Sequence, residues 1–448
     1  MKVGVVGGGM LGLTLALRLG RSGHRVHLLE AEPQLGGLAT WQDYGPFVWD
    51  RFYHCILPQD TSLLGLLEEL GLAGELEWTR TGTGYYSDGQ FHSMSNNRDF
   101  LKFPVLSLFD KARLAAAVVW ATRFADPDAL YGVSAEAWLT RLCGERAYTR
   151  FWQPLLKAKF GPFHDRVAAV FIYATLLRLF GARSAAAGKE SLGYVRGGYR
   201  RIFSRLRDVL ESGGASIRTG TSVLSVEPDG SGCRVRSRSQ DGESRDETYD
   251  RVFFTAPTRL ARKVVAPSFL PRVDEVERAH PTSTAYLGVA CLVLVLDRPL
   301  TPYYVLNIGE PSIELTGLIE MTNLIDPATQ TRGRSLVYLP RYMDSESSEF
   351  QESDASLRER MIERGVKRLF PDFDLGRALY AGIHRARYVQ PLPLVREGAL
   401  EAAAPAVSDA GPFSIINTSM LRCATLNNNE VVALVDRILP SFQASLSA

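Results

Sequence analysis

The sequence predicts an α/β fold in which a parallel nucleotide-binding sheet is opened by insertions that build a second, α+β domain. A short apolar run precedes the pattern Gly7-x-Gly9-x-x-Gly12, and a helical pattern follows it. A second apolar run ends at Glu30. Strand, glycine turn, helix and strand in this order are typical of a Rossmann-like βαβ unit. The length of 448 residues exceeds one ordinary core and indicates two domains.

The glycines of the first turn have separate predicted roles. Gly7 allows a tight turn, Gly9 leaves room for a pyrophosphate to approach the backbone, and Gly12 lets the helix pack closely on the strand. The amide groups at the start of that helix would face the anion. Glu30 lies roughly 20 residues beyond the glycines, where a carboxylate accepts the ribose hydroxyls of an adenosine.

Composition excludes several other classes of protein. The chain has 51 Lys plus Arg and 49 Asp plus Glu, so no global field attracts nucleic acid. Five scattered cysteines without a C-x-x-C pair indicate a reducing, cytoplasmic location and argue against a metal site or a disulfide framework. A secretory signal peptide is the alternative for the N-terminus, but glycines interrupt its apolar run. We expect no integral membrane segment; residues 115–120 could form a surface-lying helix or a buried helix of the second domain.

Periodicity and turn residues predict the remaining elements. Helices are predicted at 61–72, 110–124, 134–142, 145–160, 167–180, 199–212, 357–369 and 430–442. A hairpin is predicted at 84–94, and strands at 216–218, 222–227, 233–237, 251–255, 285–296, 303–307, 315–320, 335–339 and 414–417. Residues 184–190 are predicted to be a linker and 345–356 a polar loop.

These elements predict two discontinuous domains. The nucleotide-binding domain combines residues 1–95, 195–262 and 386–448. The second domain combines a helical part and an antiparallel sheet from residues 96–194 and 263–385. A ligand pocket is expected where the two domains meet.

The pattern Gly7-x-Gly9-x-x-Gly12, Glu30 and Gly36-Gly37-Leu38-Ala39 resembles the flavin-containing amine oxidase and protoporphyrinogen oxidase superfamily, which also holds phytoene desaturases and UDP-galactopyranose mutase. The resemblance implies a Rossmann-like FAD-binding domain of the amine oxidase type with an inserted α+β substrate domain. It is closest to a bacterial subgroup with poorly defined substrates. It implies cofactor contacts from Gly7, Gly8, Gly9, Met10, Leu11, Gly12, Glu30, Ala31, Gly36, Gly37, Leu38, Ala39, Val223, Asn417, Asn427 and Asn428.

Four of these contacts, from Val223, Asn417, Asn427 and Asn428, depend on position in the family layout. Val223 matches the position whose backbone clamps the adenine. Asn417 and the 427–430 segment take the place of the C-terminal strand and helix that contact the flavin. The segment 417–426 departs from the family, which usually has an acidic or glycine-rich turn there, and we expect Asn427 or Asn428 to cap the last helix.

The resemblance favours FAD over NAD. Gly36-Gly37 lets the backbone pass close to an extended FAD, and no second glycine fingerprint opens a helix after a strand. A separate NAD(P)H domain is therefore not expected, and the substrate itself would reduce the flavin. No Cys or His is strongly placed near the ring beyond His54 and Cys55, so we predict that FAD is non-covalent.

Four residues are candidates for catalysis, each with an open alternative. His54 could abstract a proton near neutral pH, or be a hydrogen-bonded histidine of the domain interface. Glu320 ends an apolar strand and could orient an amine or hydroxyl, or pair with Arg341. Arg341 ends a strand that faces the substrate. Tyr388 could reach the flavin as the chain re-enters the nucleotide domain, or serve only in packing.

Neighbouring residues of the helical part have weaker signals. Lys157 and Lys159 share one helical segment and are candidates for the lysine–water pair that some amine oxidases use to reoxidise flavin. Trp152 and Phe160 are predicted to be core residues rather than part of an aromatic cage.

The predicted function is an FAD-dependent oxidoreductase that takes a hydride from a small or medium organic substrate onto flavin N5. One alternative is a redox-neutral sugar-nucleotide mutase like UDP-galactopyranose mutase, and another is a non-catalytic flavin-binding subunit. The expected partner is a small-molecule substrate, and a homodimer is left open.

Overall fold

The computed structural model describes residues 1–184, 191–396, 411–421 and 426–447, so part of the predicted linker (185–190) lies outside the described residues. The strands in chain order are β1 Lys2–Val6, β2 Arg25–Leu29, β3 Trp41–Asp43, β4 Val48–Asp50, β5 Leu76–Arg80, β6 Thr83–Ser87, β7 Gln90–Ser93, β8 Ser191–Val195, β9 Ser216–Arg218, β10 Thr221–Asp229, β11 Gly232–Ser239, β12 Ser244–Tyr249, β13 Arg251–Phe254, β14 Tyr286–Leu296, β15 Val305–Ile308, β16 Gly317–Glu320, β17 Ser335–Asp344, β18 Tyr380–Pro391 and β19 Phe413–Ile415.

The α-helices are α1 Met10–Arg21, α2 Thr61–Glu69, α3 Asn97–Lys102, α4 Leu108–Phe124, α5 Ala135–Cys143, α6 Glu145–Ala147, α7 Gln153–Phe160, α8 Ala169–Ser184, α9 Gly198–Ser212, α10 Thr258–Val264, α11 Leu270–Ala279, α12 Pro327–Gln330, α13 Ser348–Gln351, α14 Asp354–Met361, α15 Lys367–Leu369 and α16 Asn428–Ser447. Among the residues described, no helix combines the length and apolarity that a membrane crossing requires.

The first sheet is parallel, with the strand order β19-β13-β1-β2-β9. The strands β19, β13, β1 and β2 are almost wholly buried because helices such as α1, α9 and α16 share one apolar core with them, whereas the edge strand β9 is half-buried. The β1–α1–β2 unit confirms the βαβ prediction, and β1 lies at the centre of the sheet. The carboxyl end of β1 is therefore enclosed by neighbours on both sides, where parallel sheets bind ligands.

The second sheet has seven strands in the order β18-β14-β17-β16-β15-β6-β7. Strand pairs are antiparallel except β15 with β6. Every residue of β14 is buried, since helices and loops cover both faces of the sheet. The helices α4 to α8 lie on one side, together with Tyr85 and Leu287 of the sheet.

Sheet membership differs from the predicted domain boundaries at two places. The hairpin β6–β7, predicted within the nucleotide domain, belongs to the seven-stranded sheet because β6 pairs with β15. Strand β18 pairs with β14 and runs through residue 386. The division into two domains therefore stays a proposal, with both of these elements moved to the second domain.

Two local predictions are wrong in detail. The helix predicted at 145–160 is present over its whole length but is not α-helical throughout, because α6 continues directly into a π-helical turn at 148–152 and then into α7. Pro154, which has no N–H to donate, follows the π-helical turn, and such turns occur as local irregularities inside α-helices. The polar loop predicted at 345–356 contains α13 and the start of α14. Its serines cap these helices: the hydroxyls of Ser347 and Ser353 accept bonds from Phe350 N and Ser356 N.

Candidate functional site

The glycine turn after β1 requires its glycines for geometric reasons. Gly7 has a φ of 111°, in the region that favours glycine. A Cβ at Gly12 would lie 1.9 Å from the Gly7 carbonyl oxygen, so the first turn of α1 touches the strand end directly. This contact confirms the packing reason predicted for Gly12.

No described side chain caps the N-terminus of α1, which faces this turn. Its N-cap residue is Gly9, which has no side chain to bond the first amides, and the first turn contains no acidic residue. The first intrahelical bond runs from Leu13 N to Gly9 O, so the amides of Met10, Leu11 and Gly12 precede the helical ladder. The positive end of the helix dipole and these donors suit an anion.

Glu30 lies directly beside the turn. Its carboxylate accepts a bond of 2.5 Å from Gly8 N and one of 2.8 Å from Glu32 N. Burial raises the pKa of Glu30 above its usual value, while the two backbone donors oppose this effect. Each carboxylate oxygen keeps further acceptor capacity for a ligand hydroxyl.

The Gly36-Gly37 segment runs against the first glycine turn. Gly36 N donates to Gly8 O at 2.8 Å, and Gly36 pairs with Gly9 as an isolated bridge. Both glycines have positive φ, and a Cβ at Gly37 would stand 3.3 Å from Gly9 Cα. Two bare backbones therefore form a cradle that side chains would fill.

A cavity of about 350 Å³ occupies this cradle and extends toward the second sheet. The predicted cofactor and catalytic residues that line it are Gly7, Gly9, Met10, Leu11, Gly12, Glu30, Gly36, Gly37, Leu38, Ala39, His54, Tyr388, Asn427 and Asn428. Those that do not line it are Gly8, Ala31, Val223, Asn417, Glu320 and Arg341. Gly8 nevertheless contributes to the site, because its N–H donates to the Glu30 carboxylate. Val223 lies in β10, and the first residue of that strand, Thr221, donates its N–H to the Glu30 carbonyl oxygen.

The start of α16 forms one wall of the cavity. Asn427 Oδ1 accepts a bond of 3.0 Å from Glu430 N, so Asn427 caps the helix as predicted. Asn428 bonds the hydroxyl of Tyr199. The residues 422–425 of the departing segment lie outside the described part of the chain.

Asn417 has a structural position rather than a ligand-facing one. It is buried, and its amide donates to Thr258 Oγ1 at 2.8 Å and to Ala256 O at 3.2 Å. Its Oδ1 accepts bonds from the amide and hydroxyl of Ser419. All its polar atoms are thus used to hold the loop after β19.

His54 lines the cavity as a neutral side chain. Its Nδ1 lies 2.9 Å from Phe52 O, and because a carbonyl can only accept, Nδ1 carries the proton and Nε2 is the acceptor. Burial lowers the pKa of His54 to about 4. The ring packs against Tyr199 at 4.9 Å. The residue therefore reaches the cavity, but as a weak base and an acceptor.

The end of the cavity at the second sheet is aromatic. Tyr53 and Tyr342 join their hydroxyls at 3.1 Å, and Tyr388 packs edge-on against Tyr286 at 5.7 Å. The Lys159 ammonium stands 3.4 Å from the centre of the Tyr342 ring. Tyr342 was missed as a site residue because only its neighbour Arg341 was chosen, and successive strand residues point to opposite faces.

Arg341 and Glu320 lie away from the cavity, and they do not pair with each other. Arg341 Nε donates to Glu349 at 2.5 Å, on the opposite face of β17 from Tyr342. Glu320 is fully buried in β16, where its carboxyl bonds Leu300 N and the hydroxyls of Thr322 and Ser335. Both predictions as catalytic residues place the side chain on the wrong side of the sheet.

The Glu320 carboxyl is expected to make the free energy of unfolding depend on pH. Burial raises its pKa to about 7 from an ordinary 4.5. Between those values the folded state holds one more proton than the unfolded state, so stability falls as pH rises. The fall is up to about 1.4 kcal/mol per pH unit. The stabilisation of the folded state by the protonated Glu320 carboxyl is complete below pH 4.5 and is lost above about pH 7.

We expect Glu320→Gln, which keeps the shape and the acceptor, to remove this slope. Urea unfolding at several pH values from 4.5 to 8 measures it. Glu32→Gln, at an exposed carboxylate of the same chain, is the control and should keep the wild-type slope. A Glu320→Gln slope equal to that of wild type would contradict a protonated Glu320.

A second, larger cavity adjoins the first. Its volume is about 760 Å³, and α4, α7 and α8 enclose it against the second sheet. Tyr342 lines the first cavity and contacts two residues that line the larger one: its ring carries the Lys159 ammonium, and its amide donates to Thr316 Oγ1 at 3.1 Å. Trp152 and Phe160, predicted to be core residues, also line it. Lys159 is the one charged side chain among the described lining residues.

Comparisons with known proteins identify this architecture. Residues 11–389 match the family model described as flavin containing amine oxidoreductase. A 15-cis-phytoene desaturase from Arabidopsis thaliana is 34% identical over 79 residues, 17% of this chain and 14% of the relative. A zeta-carotene desaturase from Zea mays is 27% identical over 210 residues, 42% of this chain and 37% of the relative. The matches thus span well under half of either desaturase.

Solved structures share the fold over nearly the whole chain. A candidate protoporphyrinogen oxidase from Exiguobacterium sp. 255-15 has a TM-score of 0.72 at 16% identity, covering 100% of this chain and 99% of its own. Putrescine oxidase bound to putrescine gives 0.71 at 16% identity, covering 99% of each chain. Reduced UDP-galactopyranose mutase gives 0.70 at 16% identity, covering 98% of this chain and 95% of its own. At these identities the similarity shows the fold alone.

Proposed function

Because the chain belongs to the flavin-containing amine oxidoreductase family, we propose that it holds FAD without a covalent bond in the cradle between the glycine turns and oxidises an organic substrate. When bound, FAD supplies a hydride acceptor at N5. None of the four described cysteines forms a disulfide, in keeping with the reducing, cytoplasmic location that we also propose.

The residues of the cradle fit FAD. The open amides at the start of α1 suit a pyrophosphate, and the bare backbones of Gly9 and Gly37 give it room. Glu30 borders the same cavity and has acceptor capacity for ribose hydroxyls. The observation that carries the proposal is this combination: an anion-binding helix end and a carboxylate at one end of a cavity whose other end is aromatic.

The chain's own residues support hydride transfer by excluding water and positioning a substrate. Tyr53, Tyr342 and Tyr388 close the aromatic end of the first cavity. Tyr342 also contacts Lys159 and Thr316, which line the mostly apolar second cavity. His54 offers Nε2 as a hydrogen-bond acceptor there. A substrate with an apolar body and one reacting centre at the Tyr342 end fits this arrangement.

A sugar-nucleotide mutase is less well supported by the side chains. A nucleoside diphosphate needs cations in the substrate cavity, but Lys159 is alone in this role among the described lining residues. Three arginines of the chain are instead engaged in ion pairs: Arg178 with Asp60, Arg341 with Glu349, and Arg385 with Asp354. The side chain of Arg183 is outside the described part of the structure.

An anaerobic titration tests the proposed reaction. The holoprotein is mixed without oxygen with amines, alcohols and apolar compounds that carry an oxidisable centre. Bleaching of the visible flavin absorption by a substrate alone is the expected result. Turnover of a sugar nucleotide only after dithionite reduction would overturn the proposal in favour of the mutase. Failure of every compound together with a stable partner protein would favour a non-catalytic subunit.

His54 is expected to act as an acceptor that positions the substrate rather than as a base that titrates near neutrality. In His54→Leu the rate of anaerobic flavin reduction by an active substrate should fall about fivefold, since one neutral hydrogen bond contributes about 1 kcal/mol. His54→Gln, which can still accept, should recover most of that loss. Stopped-flow reduction from pH 5 to 9 measures both effects. A wild-type inflection near the ordinary histidine pKa that disappears in His54→Leu would contradict this role.

A further inference from the structure

Helix α4 is apolar on its buried side and also on its exposed side. Its buried side packs Leu114, Ala117 and Ala121 into the helical layer. The opposite side is exposed along the whole helix and consists of Leu108, Phe109, Ala112, Ala115, Ala116, Val119, Trp120, Arg123 and Phe124. Arg123 is the one charged residue in that set, whereas a helix facing water normally presents polar side chains there.

The exposure of the large side chains is unusually high. Leu108 and Phe109 are 72% exposed and Phe124 is 70% exposed. The neighbouring helices α3 and α8, which both contact α4, add the exposed Leu101 and Leu177. Apolar patches beyond a few hundred Å² mark interaction sites in soluble proteins. We call Leu101, Leu108, Phe109, Val119, Trp120 and Phe124 the α4 surface.

The larger cavity opens at the α4 surface. Ala115 and Val119 are exposed to solvent and also line the cavity, so the cavity wall and the outer surface meet at these residues. On the facing helix α8, Thr175 and Leu176 line the cavity next to the exposed Leu177. An apolar compound that enters from the α4 surface would therefore meet a mostly apolar lining as far as Lys159, whose ammonium stands over the Tyr342 ring.

We infer that the α4 surface docks on an anionic phospholipid bilayer, with the mouth of the cavity facing the acyl chains. Leucine and aromatic residues flanked by basic side chains are typical of helices that lie in a membrane interface. The basic residues here are Arg98, Lys102 and Arg123, all exposed and without an ion pair in the described part of the chain.

A lipid surface fits this geometry better than a second copy of the chain. A second copy seated on α4 would close the cavity mouth at Ala115 and Val119, while a bilayer leaves it open to an apolar phase. The docking itself needs no flavin chemistry. The delivery of a lipid-dissolved substrate through the mouth rests on the proposed function.

Vesicle binding tests the docking. Holoprotein is sedimented with vesicles of phosphatidylcholine and phosphatidylglycerol, and with vesicles of phosphatidylcholine alone. We expect binding to the mixed vesicles that weakens with salt and falls at least tenfold in Leu108→Ser/Phe109→Ser/Phe124→Ser. The matched control is Leu375→Ser/Leu379→Ser, which changes two exposed leucines outside the α4 surface.

Flavin content, melting temperature and light scattering distinguish membrane docking from its alternatives. Flavin absorption and melting temperature should be unchanged in both variants. A wild-type protein that sediments with the mixed vesicles but holds no flavin would count against the proposed function and not against docking. The inference is overturned if wild type does not sediment with the mixed vesicles, or if both variants bind them equally. It is also overturned if light scattering shows a wild-type dimer that the triple variant dissociates.

Discussion

Replacement of Glu30 by Ala is expected to weaken FAD binding by about 10- to 100-fold, because hydrogen bonds to a charged acceptor contribute about 1.5–3 kcal/mol. Glu30 lines the cradle, and its two oxygens are already oriented by Gly8 N and Glu32 N. A ribose therefore meets a carboxylate that is fixed before binding. Fluorescence titration of the apoprotein with FAD measures the dissociation constant.

Two variants separate ligand binding from damage to the turn. Glu30→Gln keeps an acceptor oxygen and should lie between wild type and Glu30→Ala. Glu32→Ala removes an exposed carboxylate two residues away and should bind FAD as wild type does. If Glu30→Ala kept an affinity within threefold of wild type, the assignment of Glu30 to the ribose would be wrong.

Gly12→Ala is expected to have the largest effect on stability. The new Cβ would lie 1.9 Å from Gly7 O and 3.0 Å from Thr255 Oγ1, and a backbone carbonyl cannot move aside as a flexible side chain can. The free energy of unfolding should fall by about 3 kcal/mol or more, and α1 should lose its position against the cradle. Urea unfolding and flavin content of the purified variant measure the two effects.

Gly20→Ala is the matched control, since it makes the same chemical change in the same helix. A Cβ at Gly20 meets no atom within 4 Å. This variant should be about 0.5–1 kcal/mol more stable than wild type because alanine restricts the unfolded chain and favours the helix. Equal stability of the two variants would contradict the close contact between Gly12 and Gly7.

The nucleotide-binding end could be predicted from the sequence because its function depends on the backbone. At Gly7, Gly12 and Gly37 the absence of a Cβ is itself the structural requirement, so the residue type reports the geometry directly. The carboxylate at the end of β2 follows from the length of one βαβ unit. These positions needed no knowledge of the second domain.

The substrate end could not be predicted in the same way because it depends on which face of a strand is turned inward. Arg341 and Tyr342 are adjacent, and a shift of one residue exchanges the cavity face for the outer face. The sequence predicts that Glu320 ends a strand beside the substrate, yet the sheet is covered on both faces and buries this side chain among hydroxyls. Strand β18 was missed because its edge position leaves most of its residues half-buried and without alternation.

The cofactor gives the most direct test of the whole account. The visible spectrum of the purified protein is recorded, the protein is precipitated with acid, and the supernatant and pellet are analysed for flavin by chromatography and mass spectrometry. The account predicts a yellow protein that releases FAD into the supernatant and leaves no flavin on the polypeptide. A colourless protein that takes up no FAD on loading, or a flavin that stays attached to the pellet, would contradict it.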